Sequence, residues 1–112
     1  MSAPARASAA ALKLEPPVII SRLAPGWKLI AKDGVDGLHR RFVFANFSAA
    51  WGWMSRVALA AEAADHHPEW ANVYATVDVR LTTHDARGVT AKDERLAALM
   101  DAFYAAQEPP MR

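Results

Sequence analysis

The sequence predicts an α+β domain, a four-stranded antiparallel sheet with helices packed on one face. Three observations lead to this class. Two strand-like runs flank an Asp/Gly-rich turn near the start, an alanine-rich helical stretch follows, and two more strand-like runs precede a second amphipathic helix. Strands grouped in pairs and separated by helices are the order of an α+β layer.

The first strand is read at Trp27–Ala31 and the second at Leu38–Phe44, with Lys32 to Gly37 supplying two Asp/Gly turn signals between them. In the second run Leu38, Arg40, Phe42 and Phe44 share one face, and the aromatic pair makes it the core face. Ser48 is a good N-cap residue for the helix that follows, from Ala49 to about Ala64. Alanine favours that helix, but its apolar residues do not keep to one stripe. Ala50, Trp53, Val57 and Ala61 form one face, whereas Trp51, Met54 and Ala58 extend round the side and Leu59 interrupts the polar seam. A helix apolar on more than one side needs more than one cover, and in so short a chain the second cover is most simply another subunit. After a polar break containing Pro68, Trp70–Tyr74 and Val77–Thr83 read as strands. A loop from His84 to Val89 follows, then Thr90–Asp93, which resembles a capping box. The last helix has Leu96, Leu99, Met100 and Phe103 on its apolar face and stops at Glu108-Pro109-Pro110.

The chain has 112 residues and therefore one modest core, for which association is a common remedy. Residues 1–17 read as a disordered N-terminal tail, with an organellar transit peptide as the alternative, because they are rich in Ala and Ser and end at Pro16-Pro17. The single domain is placed at residues 18–108. Within it, Val18–Leu23 is a short apolar run that fits either helix or extended arm. A net charge of +1 with interspersed signs gives no electrostatic footprint for nucleic acid. No stretch is long and apolar enough to span a bilayer. The absence of cysteine excludes disulfides, thiolate metal sites and cysteine nucleophiles, and is compatible with a cytoplasmic protein.

Chemistry points to the histidines. His66 and His67 are adjacent in the break after the central helix, and His84 stands eighteen residues beyond His66 where the last strand ends. Two antiparallel strands between them fold the chain back, so the three imidazoles can line one pocket. Histidine gives or takes a proton near neutrality without a metal. Glu62 lies one helical turn before His66, where a carboxylate can orient an imidazole. Trp70 offers a flat surface on which a planar ring could stack, although tryptophan is more often core. Asp93 could serve the site, but its place as the third residue of a helix makes capping its default role. Zinc is the rival reading of three histidines. It is disfavoured because adjacent histidines point differently and no HExxH spacing exists. There is likewise no nucleophile elbow, Walker loop or dinucleotide fingerprint.

The segment Glu62-Ala63-Ala64-Asp65-His66-His67-Pro68-Glu69-Trp70, followed by Asn72-Val73-Tyr74, Thr83-His84-Asp85, Gly88-Val89-Thr90 and Asp93, resembles the pterin-4a-carbinolamine dehydratases. Pro25-Gly26-Trp27, Phe47 and Arg56-Val57-Ala58-Leu59 fit as well, so the likeness runs from about Leu23 to Tyr104. It implies a hydro-lyase that converts 4a-hydroxytetrahydrobiopterin, or a related pterin carbinolamine, to quinonoid dihydropterin and water. It implies no cofactor, since the pterin is the substrate, and an assembly of two or four copies. His66, His67 and His84 would be the acid–base and orienting set, with His67 the most damaging single loss. Glu62 and Asp93 would support them, and Pro68, Trp70 and Thr83 would contact the substrate. The family also contains non-enzymatic dimerisation and assembly partners, which is the alternative function. Two departures stand out. Pro16-Pro17 shortens or replaces the usual first helix, and Trp51 and Trp53 stand where phenylalanines are common, adding volume at the expected subunit contact.

Overall fold

The computed structural model describes Lys13 and residues 23–107, and the tail, the Val18–Arg22 part of the first apolar run and the Glu108-Pro109-Pro110 stop lie outside the described residues. Its elements are β1 (Lys28–Lys32), β2 (Val35–Val43), α1 (Phe47–Ala64), β3 (Glu69–Val73), β4 (Thr76–Leu81), a single 3₁₀ turn (His84–Ala86) and α2 (Ala91–Ala105). The four strands form one antiparallel sheet in the order β1-β2-β4-β3. The predicted class and strand count are therefore correct, and the boundaries move for local reasons.

The first hairpin is tighter than the sequence reading. β2 begins at Val35 because Asp33 and Gly34 alone make the turn, both with positive φ (54° and 77°), and Lys32 already pairs with Val35. A two-residue loop of this kind matches the twist of the strands it joins. The cap of α1 is also corrected. Asn46, not Ser48, holds the extended N-cap conformation, and its side-chain oxygen accepts the Ala49 amide at 2.8 Å. Asn is as good a cap as Ser, so the helix starts two residues earlier than expected.

The core lies between the helices and one sheet face. Leu38 and Phe42 on β2 stand opposite Leu81 and Val77 on β4, and all four are fully buried or nearly so. Phe42 is the centre. Its ring lies 4.5 Å from Trp53, 5.0 Å from Tyr104 and 5.8 Å from Trp27, the last two edge-on. Arg40, on the same face, covers the Phe42 ring at 4.4 Å and bonds Asp101 at 2.6 Å, while Trp27 Nε1 donates to the same carboxylate. Trp53 Nε1 donates to the Met100 carbonyl, which satisfies the one polar atom of a fully buried indole and ties α1 to α2. Trp53 is thus a core residue of its own chain, which corrects its assignment to a subunit contact.

The two helices differ from their sequence readings on their outer sides. α1 buries Ala50, Trp53, Val57 and Ala61 as expected and Met54 with them, but leaves Phe47, Trp51 and Leu59 exposed, with Phe47 and Trp51 stacked at 6.4 Å. On α2 the buried face is Asp93, Leu96, Ala97 and Met100, and Leu99 turns outward. A carboxylate and an alanine take the place of a leucine because this helix packs by its first turn on the loop after β4. Truncating Phe42 removes the ring that four side chains pack upon. Phe42→Ala is expected to cost about 3–5 kcal/mol of unfolding free energy, measured by urea denaturation.

Candidate active site

The backbone delivers His66 by a specific helix stop. At the end of α1, Asp65 adopts the left-handed conformation (φ 53°, ψ 43°). Its amide bonds the Glu62 carbonyl and the next amide, that of His66, bonds the Ala61 carbonyl, each at 3.1 Å. This is the Schellman pattern, with Asp in the place usually taken by Gly. It reverses the chain so that His66 leaves the helix toward the start of α2.

There Asp93 is waiting, with no solvent exposure. One of its oxygens lies 2.6 Å from His66 Nε2. The other accepts the Thr83 hydroxyl at 2.7 Å and the Thr90 amide at 2.9 Å. An ionised carboxylate only accepts, so the network places the hydrogen of this contact on His66 Nε2, and Nδ1 has no hydrogen-bond partner among the described residues. Thr83 spends its single hydrogen on Asp93, so in the 2.6 Å contact between the two hydroxyls Thr90 is the donor. Burying a carboxylate is costly unless each lone pair finds a donor, and three donors answer here. Asp93 is both the capping-box residue of α2 and the residue that fixes His66. The capping and supporting roles proposed separately from sequence coincide in one side chain.

His67 is placed differently. Its Nε2 lies 3.1 Å from Glu62, and both side chains are largely exposed. His84 follows Thr83 directly and opens the 3₁₀ turn, exposed to solvent. Thr83 and Gly88 bridge each other across this loop, and the Arg87 amide bonds the His84 carbonyl at 3.1 Å. His84 borders a cavity of about 470 Å³ with Lys32, Glu69, Arg80, Thr82 and Arg87, whose walls do not include His66 or His67. Of the three histidines, His66 is bonded into the Asp93 frame, His84 follows the Thr83 that the same carboxylate holds, and His67 is paired with Glu62 outside it. Pro68 is half-buried, and so is Trp70, whose ring packs against Trp53 at 6.2 Å on the rim of the core. Among the described residues no three His, Asp or Glu side chains are grouped as metal ligands.

Sequence reasoning missed Thr90 as a member of the His66 network beyond its capping role, and missed Arg80. Arg80 lies across the open sheet face, donating to the Ile30 and Val35 carbonyls at 2.9 and 2.8 Å and approaching Glu69 at 3.5 Å. Gly37 makes room for it, since a Cβ there would stand 2.4 Å from the guanidinium. The Thr90–Asp93 box was visible locally. Nothing local announces Arg80, because its partners lie in three other strands.

A small antiparallel α+β layer with two helices, holding a histidine against a buried carboxylate, is the class of protein these residues define. The family described as "Pterin 4 alpha carbinolamine dehydratase" matches residues 12–103, and the chain belongs to it. It is similar to a sequence from Rhodopseudomonas palustris provisionally named pterin-4-alpha-carbinolamine dehydratase, with 56% identity over 88 residues, 79% of this chain and 85% of the relative. A similarly named sequence from Mesorhizobium japonicum is 54% identical over 94 residues, 82% of this chain and 94% of the relative. Among solved structures, the "transcriptional coactivator/pterin dehydratase" of Brucella melitensis superposes with a TM-score of 0.77 at 41% identity, covering 83% of this chain and 99% of that one. A pterin dehydratase-like protein described as a RuBisCO assembly factor of the alpha-carboxysome shares the fold, with a TM-score of 0.62 at 19% identity over 73% of this chain and 93% of that one.

Asp93→Asn would force one of three donors to face an amide NH₂. It is expected to lower stability by about 1–3 kcal/mol and to release the Nε2-protonated tautomer of His66. Thermal melts and imidazole ¹⁵N shifts measure the two effects.

Proposed function

We propose that the protein dehydrates pterin-4a-carbinolamine, 4a-hydroxytetrahydrobiopterin or a close relative, to quinonoid dihydropterin and water in the cytoplasm. The reaction would serve the recycling of tetrahydrobiopterin for aromatic amino-acid hydroxylation. Elimination from C4a needs a proton for the departing hydroxyl and a base for the N5 proton. His66, His67 and His84 divide these tasks and the orientation of the ring. The pterin is the substrate, and no further cofactor is invoked.

The observation that carries this reading is the Asp93 frame, which holds His66 by Nε2 and binds Thr83 beside His84. Its buried side presents a histidine of defined tautomer, while Glu62 attends His67 on the open side. Such paired environments suit one imidazole to accept a proton and another to donate one. Asp93 and Glu62 act as positioning groups. Pro68, Trp70 and Thr83 are proposed to border the ring.

The exposed Phe47, Trp51 and Leu59 on α1 favour a second element of the proposal, association into a homodimer or homotetramer through that side of the helix. The same strip supports the alternative of a non-enzymatic dimerisation or assembly partner. No nucleic acid or membrane contact is proposed.

Stopped-flow absorbance of carbinolamine decay tests the reaction. Wild type should accelerate it, and His67→Ala should lose about 10²–10⁴-fold of that acceleration while its far-ultraviolet spectrum stays unchanged. A folded wild type that gives no acceleration would sink the dehydratase reading and leave the partner-binding one. Separately, Trp51→Glu with Leu59→Glu should lower the mass found by light scattering to that of one chain. An unchanged mass would place the association elsewhere.

A further inference from the structure

The cavity beside His84 is walled mainly by charge. Its six wall residues named above are joined by Asp33, so three permanent cations face two carboxylates beside the imidazole of His84. These charges are not equivalent. The Arg80 guanidinium is engaged by two backbone carbonyls and lies 3.5 Å from Glu69. It forms a fixed wall. Lys32, His84 and Arg87, in contrast, make no side-chain hydrogen bond or ion pair with another described residue, and all three are exposed toward solvent. Lys32 ends β1, and Arg87 stands in the left-handed conformation at the close of the 3₁₀ turn, its amide bonded to His84. A strand end and a tight turn thus carry unengaged cations to the same cleft.

From this geometry we propose that the cleft is a phosphate subsite, which receives a phosphate monoester carried on the side chain of the pterin substrate. Arg87 supplies a planar fork of donors and Lys32 a point charge, the two ways in which proteins hold phosphate oxygens. A volume of about 470 Å³ exceeds a free phosphate and suits a phosphate on a short carbon chain, within the usual range of about 300–1,000 Å³ for ligand sites. His84 belongs both to the walls of this cleft and to the histidine set proposed for the ring, which is the link between a ring substituent and the cleft. The ring part of the proposal rests on the dehydratase reading, whereas the subsite itself does not.

Two measurements test it. First, inorganic phosphate is titrated into the full-length protein and followed by backbone amide NMR. Saturable shifts at Lys32, Arg87 and Gly88 are expected, and they should vanish in the Lys32→Gln, Arg87→Gln double variant. Absence of saturable shifts in the wild type, or their persistence in the double variant, overturns the subsite. Second, two stable 7,8-dihydropterins are compared by fluorescence quenching, one with a neutral side chain and one with a phosphate monoester. The phosphorylated one should bind about tenfold more tightly, a preference that the double variant and high salt both abolish. Equal affinity of the two for the wild type overturns the assignment to the substrate side chain. If phosphate shifts the amides and neither pterin binds, the pterin reading fails and with it this assignment, while the anion subsite stands.

Discussion

A fully buried carboxylate organises this molecule. Asp93 is placed without exposure to solvent, and such a group is tolerated only when its lone pairs are met by donors. The donors come from three places in the chain: the first turn of α2, the end of β4 and the loop after α1. Satisfying one side chain therefore draws together the start of one helix, the exit of a central strand and the histidine that follows the other helix. The same three contacts cap α2, bring the His84 loop to its place and select the nitrogen that His66 presents. Stability and chemistry are not separable at this point of the fold.

The rest of the core supports that junction. Phe42 sits under Trp27, Trp53 and Tyr104, and Trp53 is pinned to α2 through the Met100 carbonyl. This aromatic cluster sets how the helices lie on the sheet. It also sets how far the end of α1 stands from the start of α2, the gap that His66 crosses. The left-handed Asp65 then turns the backbone through that gap. On the opposite sheet face a single long side chain plays the corresponding part. Arg80 spans β4, β2 and β1 over Gly37, binds carbonyls at the far edge and leaves its neighbours Lys32 and Arg87 unengaged.

The chain belongs to the pterin carbinolamine dehydratase family, and the Asp93 frame holds one histidine of the set proposed for its chemistry. The exposed aromatic side of α1 is the surface through which association is proposed. The Asp93 frame and the exposed apolar side of α1 are built from different residues, so a site and a partner need not compete.

Much of this was legible in the residue order. The Asp33-Gly34 turn, the alternation through Phe42 and Phe44, the capping box at Thr90–Asp93 and the double histidine are all local patterns, and each reports a property of one element. They determined the α+β class, the strand pairs and the candidate histidines. The choice of Asn46 over Ser48 as cap turned on two residues of equal capping strength, which local chemistry cannot rank. The interior position of Trp53, the outward turn of Leu99, the joint duty of Asp93 and the reach of Arg80 depend on what lies opposite in space. Hydrogen bonds across 27 residues, from His66 to Asp93, and across 50, from Arg80 to Ile30, carry no signature in the intervening sequence. Sequence by itself determined which groups were available for chemistry, because residue type and local period are written there. Tertiary structure alone decided which nitrogen of His66 meets Asp93 and which cations lack a partner among the described residues, because those depend on partners that only folding brings within hydrogen-bonding distance.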